Sequence, residues 1–447
     1  MPGAAHEEGR PRADSGRTAA LSSYRWVVLA MAFFGVFGAI GFGRFGYSAI
    51  LPTMQDDLGI SSAAAGALAS WNLGGYMSMA FIGGILAARV GPRIVVTAGL
   101  VTTAAGMLLT GLSNGLVLAS VGRLLTGLGS GMVLVPSIGL MAAWFDRHRL
   151  GLASAVVSSG AALALVLVGL AVPPIISSGG AGGWRLAWYF FAGVVVCLAV
   201  LNGVVQRDRP GSAGFKPSKP AADRPSSRWL RDMAARSYLD LKVIVRSRYA
   251  WHLGFVYLLY GAAFLIYMTF FQKRLTADLD YSSAVAGYVF LIVGVGGLLG
   301  GALWGSVSDR IGRGRALALM CLIMAGAAAL FAWAPAMPAL IVSAFIWGLA
   351  GMGFPGVIGA GCGDQFGAVL APAALGLVTI FTGVGMVLGP YLAGKVADAS
   401  GSLTYSYVLT VCVFVLTAVL AAFLRETGRD AANRRCRLDD APGDTGV

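Results

Sequence analysis

The chain has 447 residues, 57% of them hydrophobic and only 12% charged, with a formal net charge of +13 and a mean hydropathy of +0.76. A soluble domain carries about 25% charged residues, so this composition excludes one and indicates a chain that crosses a bilayer many times. The continuous apolar runs exclude a lipid-embedded β-barrel, whose short strands alternate.

Residues 1–24 are polar and contain Arg10, Arg12 and Arg17, which predicts a disordered cytoplasmic segment and no cleavable leader. Twelve spans follow, at about 26–52, 65–87, 94–113, 116–143, 152–175, 187–205, 250–272, 284–305, 316–333, 338–361, 373–395 and 403–424. Between the sixth and seventh lies a polar loop, within which "SRWLRDMAARSYLDLKVIV" has the apolar spacing of a helix lying on the membrane surface. Twenty-seven lysines and arginines fall in the tails and alternate loops of one side and four on the other. This asymmetry predicts both termini in the cytoplasm of a multi-pass protein of the bacterial inner membrane. It also assigns the basic balance to topology and lipid headgroups, not to nucleic acid. The 64 glycines suit close helix packing in lipid. Cys197, Cys321, Cys362, Cys412 and Cys436 have no paired or metal-ligating spacing, and neither a metal nor a cofactor is expected.

The chain repeats itself. "DLGISSAAAG" from Asp57 returns as "DLDYSSAVAG" from Asp278, and "GILAARVGPR" from Gly84 returns as "GSVSDRIGRGR" from Gly305, both at an offset of 221 residues. An all-α membrane protein of twelve helices in two pseudo-symmetric six-helix bundles is expected. Its parts are a tail over 1–24, a first bundle over 25–206, a cytoplasmic central loop over 207–248, a second bundle over 249–425 and a cytoplasmic tail over 426–447. Paired halves of this kind place a substrate site near the midplane and rock around it.

At these residues the sequence resembles the major facilitator superfamily along nearly its whole length. The loop Gly305-x-x-x-Asp309-Arg310-x-Gly312-Arg313-x-Arg315 is similar to the superfamily's loop motif, and its counterpart, with Gly84, Arg89, Gly91 and Arg93, has Ala88 in place of the acid. Arg123-x-x-x-Gly127-x-x-x-Gly131 in span 4 looks like another family motif. Gly385-x-x-x-Gly389-Pro390 in span 11 is similar to a motif that antiporters carry in span 5, where this chain lacks it. "GRFGYSAILP" followed by "DLG" resembles a bacterial branch of the superfamily. The resemblance implies a cytoplasmic gate in which Asp309 meets the start of span 5 near Gly151, with Arg89, Gly91, Arg310, Gly312 and Arg313 around it. For Arg123, Gly127, Gly131, Gly385, Gly389 and Pro390 it implies packing or coupling. On the residues alone, Arg310, Arg313 and Arg315 could equally do no more than set topology.

No acid falls within a predicted span; Asp364 and Asp398 lie at span ends and are expected to be solvated. Arg44, however, lies within span 1, where a charge is costly without a partner. Tyr47 and Ser48 share its helix face and could complete a fork for a carboxylate. The alternative is structural: backbone carbonyls as partners, or a side chain reaching the surface. Arg123 has the same two readings. Asn72 and Tyr76, four residues apart in span 2, are plausible polar groups of a cavity. In span 7, Tyr257, Tyr260, Phe264, Tyr267 and Phe271 form an aromatic stripe, either a wall for the substrate body or simple packing. The offset puts Leu265 opposite Arg44. Lys273 and Arg274 either flank the membrane or attract anions, and His252 is expected at the interface.

These features predict a monomeric secondary active transporter, not an enzyme, that moves a small organic anion by alternating access. A drug or metabolite exporter and a non-transporting membrane sensor are the alternatives.

Overall fold

A computed structural model describes residues 13–145, 147–209 and 244–424, and the regular elements among them are all helices. Residues 210–243 of the central loop, with most of the expected surface helix, and the C-terminal tail from 425 lie outside the described residues. α1 (Ala13–Val36), a π-helical stretch (Phe37–Phe45) and α2 (Gly46–Leu58) continue one another as a single rod. The segment expected to be disordered up to residue 24 is thus helical from Ala13; Arg17, Ala19, Ala20 and Leu21 all favour helix. Then come α3 (Ser62–Val90), α4 (Pro92–Gly111), α5 (Leu116–Trp144), α6 (Arg147–Gly179) and α7 (Gly183–Val205). Beyond the central loop lie α8 (Arg248–Lys273) with a π-helical turn after it (Arg274–Asp278), α9 (Ser283–Ile311), α10 (Arg313–Trp333), α11 (Met337–Gly351), α12 (Phe354–Ser400) and α13 (Thr404–Ala422).

Among the described residues, eleven helical stretches are long and apolar enough to cross a bilayer. α3 occupies the place of the second predicted span and has 29 residues, but it is not one of the eleven. Large apolar side chains such as Val117, Val204 and Phe423 are exposed, as a lipid-facing surface requires.

Two boundaries differ from the sequence reading. Predicted span 10 is broken at Met352 and Gly353, between α11 and α12. Pro355 has no N–H to offer the Gly351 carbonyl one turn back, and the Tyr260 hydroxyl donates to that carbonyl instead, at 2.6 Å. The loop expected between spans 10 and 11 is helical, so α12 runs for 47 residues.

α1 to α7 pack mainly on one another, as do α8 to α13; the contacts between the two sets run through α3 with α12, α6 with α9 and α2 with α8. The 221-residue repeat is visible in the backbone. Ser61 caps α3 by accepting from the Ala64 N–H, and Ser282 caps α9 by accepting from the Val285 N–H. Gly91 and Gly312 both turn the chain at φ +96°, a conformation that favours glycine. A Cβ on Gly127 would overlap the Asn72 carbonyl, and one on the equivalent Gly348 would overlap the Val293 carbonyl. Between the sets, Gly66 lies on the Pro390 carbonyl as Gly287 lies on that of Gly169. Close backbone approach at small residues is how helices associate in lipid.

Candidate functional site

The π-helical stretch shapes the site. Its sequence, FGAIGFGRF, is rich in glycine, so the regular ladder is weakly held. Two side chains from α5 take carbonyls from it: Ser130 Oγ donates to Ala39 O at 2.7 Å and Arg123 Nη1 donates to Gly43 O at 2.6 Å. Arg44 follows directly, in the last turn of the stretch.

A cavity opens beside Arg44. From the first half it is lined by Arg44, Tyr47, Ser48 and Arg123, and from the second by Leu265, Met268 and Thr269. It is narrow, with room for about one water molecule, so a larger ligand needs the surrounding helices or side chains to move. No carboxylate lines it. Arg44 lies with its guanidinium carbon 4.4 Å from the centre of the Tyr76 ring. Its Nε and Nη2 are buried without a hydrogen-bond partner from the protein, as is Ser48 Oγ. Tyr47 is committed elsewhere: its hydroxyl donates to Ala65 O at 2.8 Å. Arg123 is 1% exposed and lies 4.5 Å from the Tyr47 ring centre and 5.5 Å from that of Trp188. It therefore bonds a carbonyl, as the packing reading expects, and also faces the cavity.

The structure does not bring the span 7 tyrosines to this cavity. Tyr257 and Tyr260 stack with each other at 5.7 Å and on Phe354 at 6.2 and 4.0 Å. Tyr267 stacks on Trp347 at 3.7 Å, and its hydroxyl shares a 2.8 Å hydrogen bond with Ser343. Neither Asn72 nor Tyr76 is among the residues that line the cavity; Asn72 is fully buried, its Nδ2 donating to Arg123 O at 3.3 Å. Gly127 and Gly131 let α5 press on the Asn72 and Tyr76 backbone; Gly385 and Gly389 let α12 press on Leu258 and Ala262 of α8, and the next residue, Pro390, is the one that meets Gly66.

At the loop motif, Asp309 pairs with Arg313 at 2.6 Å, and Arg313 Nε also meets Asp364 at 2.8 Å, so Asp364 is exposed but paired. Arg310 and Arg89 are exposed, and Gly91 and Gly312 make the turns described above. The Gly151 side of the expected Asp309 contact lies outside the described side chains. Beside Gly91, Asp208 caps α4 by accepting from the Arg93 N–H at 2.6 Å. His252 Nε2 donates to Leu420 O at 2.8 Å.

Asp398 is expected at a span end in solvent, and the structure adds partners for it. It is exposed, yet it accepts from the N–H groups of Ser62 and Ala63, each at 2.8 Å, at the N-terminus of α3. Lys273 Nζ donates to Ser62 Oγ at 2.8 Å from the third side. Together they join α3, α8 and α12 at the end that the charge count assigns to the outside. Arg274 instead pairs with Asp278 at 2.8 Å and donates to Ala332 O at 2.7 Å. The sequence signal for the Asp398 contact was faint: an acid at one helix end and a serine cap far away in the chain.

The family model described as Major Facilitator Superfamily matches residues 32–358 and 253–436. A probable hexose phosphate transport protein of Chlamydia trachomatis is 24% identical over 61% of this chain, which spans only 62% of that relative's length. Monocarboxylate transporter 3 of Rattus norvegicus is 26% identical over 97% of this chain and 85% of its own. Among solved structures, a D-xylose–proton symporter superposes with a TM-score of 0.69 at 18% identity, covering 91% of this chain and 99% of that one. A bacterial homologue of the human lysosomal transporter Spinster, inward-facing and unoccupied, gives 0.66 at 14% identity, covering 93% and 98%. With helices that fit a bilayer, a shared loop motif and a family model that covers most of its length, the chain belongs to the major facilitator superfamily.

Proposed function

We propose that this chain is a secondary active transporter of the bacterial inner membrane that moves a small organic anion, a carboxylate first among candidates, by alternating access between its two repeat-related halves. The observation that carries this reading is Arg44. It lies in a cavity within the membrane-spanning part, two of its guanidinium nitrogens have no partner, and no acid lines the cavity. A desolvated arginine with free donors is a bidentate site for a carboxylate or phosphate. Ser48 offers a further free hydroxyl, and Tyr76 backs the guanidinium plane. The names of two relatives, a monocarboxylate transporter and a hexose phosphate transport protein, both denote carriers of anions. In the same reading both termini are cytoplasmic, the protein works as a monomer, and Asp309 with its neighbouring arginines forms the cytoplasmic gate.

The exporter reading rests on Gly385, Gly389 and Pro390, which have a packing task of their own against α8 and α3.

Uptake into proteoliposomes tests the proposal. Losing two charge-assisted hydrogen bonds should cost roughly 3 kcal/mol or more, so Arg44→Leu should lower anion uptake by about 100-fold. Uptake of neutral or cationic compounds by wild type and variant alike, with none of anions, contradicts it.

A further inference from the structure

Arg44 is not alone in its cavity. Arg123 lines the same space, is 1% exposed, and has a buried Nε without a partner. The four ion pairs found among the described residues belong to Arg185, Arg274 and Arg313, and neither cavity arginine takes part in one. The cavity therefore holds two positive charges and no negative one. Their roles differ. Arg123 is fixed by its bond to the Gly43 carbonyl and by the Tyr47 and Trp188 rings. It acts as a stationary field that cannot turn away when a ligand leaves. Arg44 is the group with donors to spare.

Resting on the anion reading above, we propose that the site is built for a doubly charged anion, a dicarboxylate or a phosphate monoester, with Arg44 holding one charged group and Arg123 selecting for the second charge. A monoanion neutralises one guanidinium and leaves the other buried and uncompensated; a dianion cancels both. Buried charges are tolerated when they are paired. The second half of the cavity wall, Leu265, Met268 and Thr269, supplies no further charge and suits a short carbon body.

The test is a charge ladder on the full-length protein in detergent, read as ligand affinity from thermal shift. Succinate is compared with butyrate, and methyl phosphate with dimethyl phosphate, at about pH 8. The dianion of at least one pair should bind roughly tenfold tighter or more than its monoanion, a margin that an added charge contact readily supplies. Which pair shows the larger ratio separates the dicarboxylate from the phosphate monoester. Arg123→Gln should bring the ratio toward one, and Arg123→Lys, which keeps the charge, should retain it. The wild type offers an independent check should the glutamine variant not fold. Methyl phosphate passes from monoanion to dianion near pH 6, so its affinity should rise across that range relative to that of dimethyl phosphate, which keeps one charge. Equal binding of mono- and dianions in both pairs, or a ratio that survives Arg123→Gln, overturns this proposal and leaves the anion reading standing. Binding of none of the four anions overturns the anion reading itself, and this proposal with it.

Discussion

Arg44, Tyr47 and Ser48 in the first half correspond, at the 221-residue offset, to Leu265, Met268 and Thr269 in the second, and all six side chains line one cavity. The same offset turns Arg123 into Ala344. The backbone, in contrast, is repeated closely: the serine caps, the two glycine turns and the glycine crossings at Gly127 and Gly348 match pair by pair. The two halves thus share the contacts that make a helix bundle and differ in the side chains that line the cavity. A fold built from repeats can carry a one-sided site, because helix packing asks only for small residues at fixed crossings while charge can be placed on one half alone.

The strongest test of that contrast is Arg44→Leu, which makes the two halves alike at this position and should abolish specific anion binding, about 100-fold or more in affinity by titration. Moving the charge across the pseudo-axis sharpens it. Arg44→Leu combined with Leu265→Arg should recover roughly tenfold of that loss, since the new guanidinium would face the same cavity. The shared backbone predicts equal costs in both halves. Gly127→Ala and Gly348→Ala each force a Cβ into a carbonyl of the neighbouring helix and should each destabilise by about 1–3 kcal/mol, seen as matching losses of thermal stability. At the end that the charge count assigns to the outside the halves differ again: Asp398 holds the N-terminus of α3, while the equivalent residue by the repeat is Ser177, which bonds its own helix at Pro174 O. Asp398→Asn should weaken that junction by about 1 kcal/mol and raise labelling of an Ala69→Cys variant by an impermeant thiol reagent, in a background without the native cysteines. The smallest effect is expected at Tyr267→Phe. Losing the hydrogen bond to Ser343 should cost about 1 kcal/mol of stability and leave anion affinity within about twofold.

Most of the spans, the repeat and the place of Arg44 in the first of them were legible in the sequence because apolar runs, offsets and an intramembrane charge are all local signals. The pairing of Arg44 with Leu265 followed from the offset alone. Arg123 was harder. Its motif pointed to packing, and only the π-helical stretch, which offers the Gly43 carbonyl just before Arg44, shows that one guanidinium can pack and face the cavity together. The span 7 stripe has the right spacing for a wall, but spacing gives a face and not its neighbour; Trp347 and Phe354 from distant helices claim those rings. Asp398 shows the same limit, since its partners are more than 300 positions away in the chain. The break at Gly353 was readable in hindsight from Pro355, whose missing N–H leaves the Gly351 carbonyl to Tyr260.

The most direct measurement is a thermal-shift screen of the purified wild type and Arg44→Leu against small mono- and dianions, neutral sugars and organic cations. A ligand at about 100 times its dissociation constant adds about 2.7 kcal/mol of stability. Anions alone should stabilise the wild type, and the variant should lose this response while keeping its own fold. Stabilisation of both proteins by cations or sugars, with no response to anions, would contradict this and make Arg44 a structural residue.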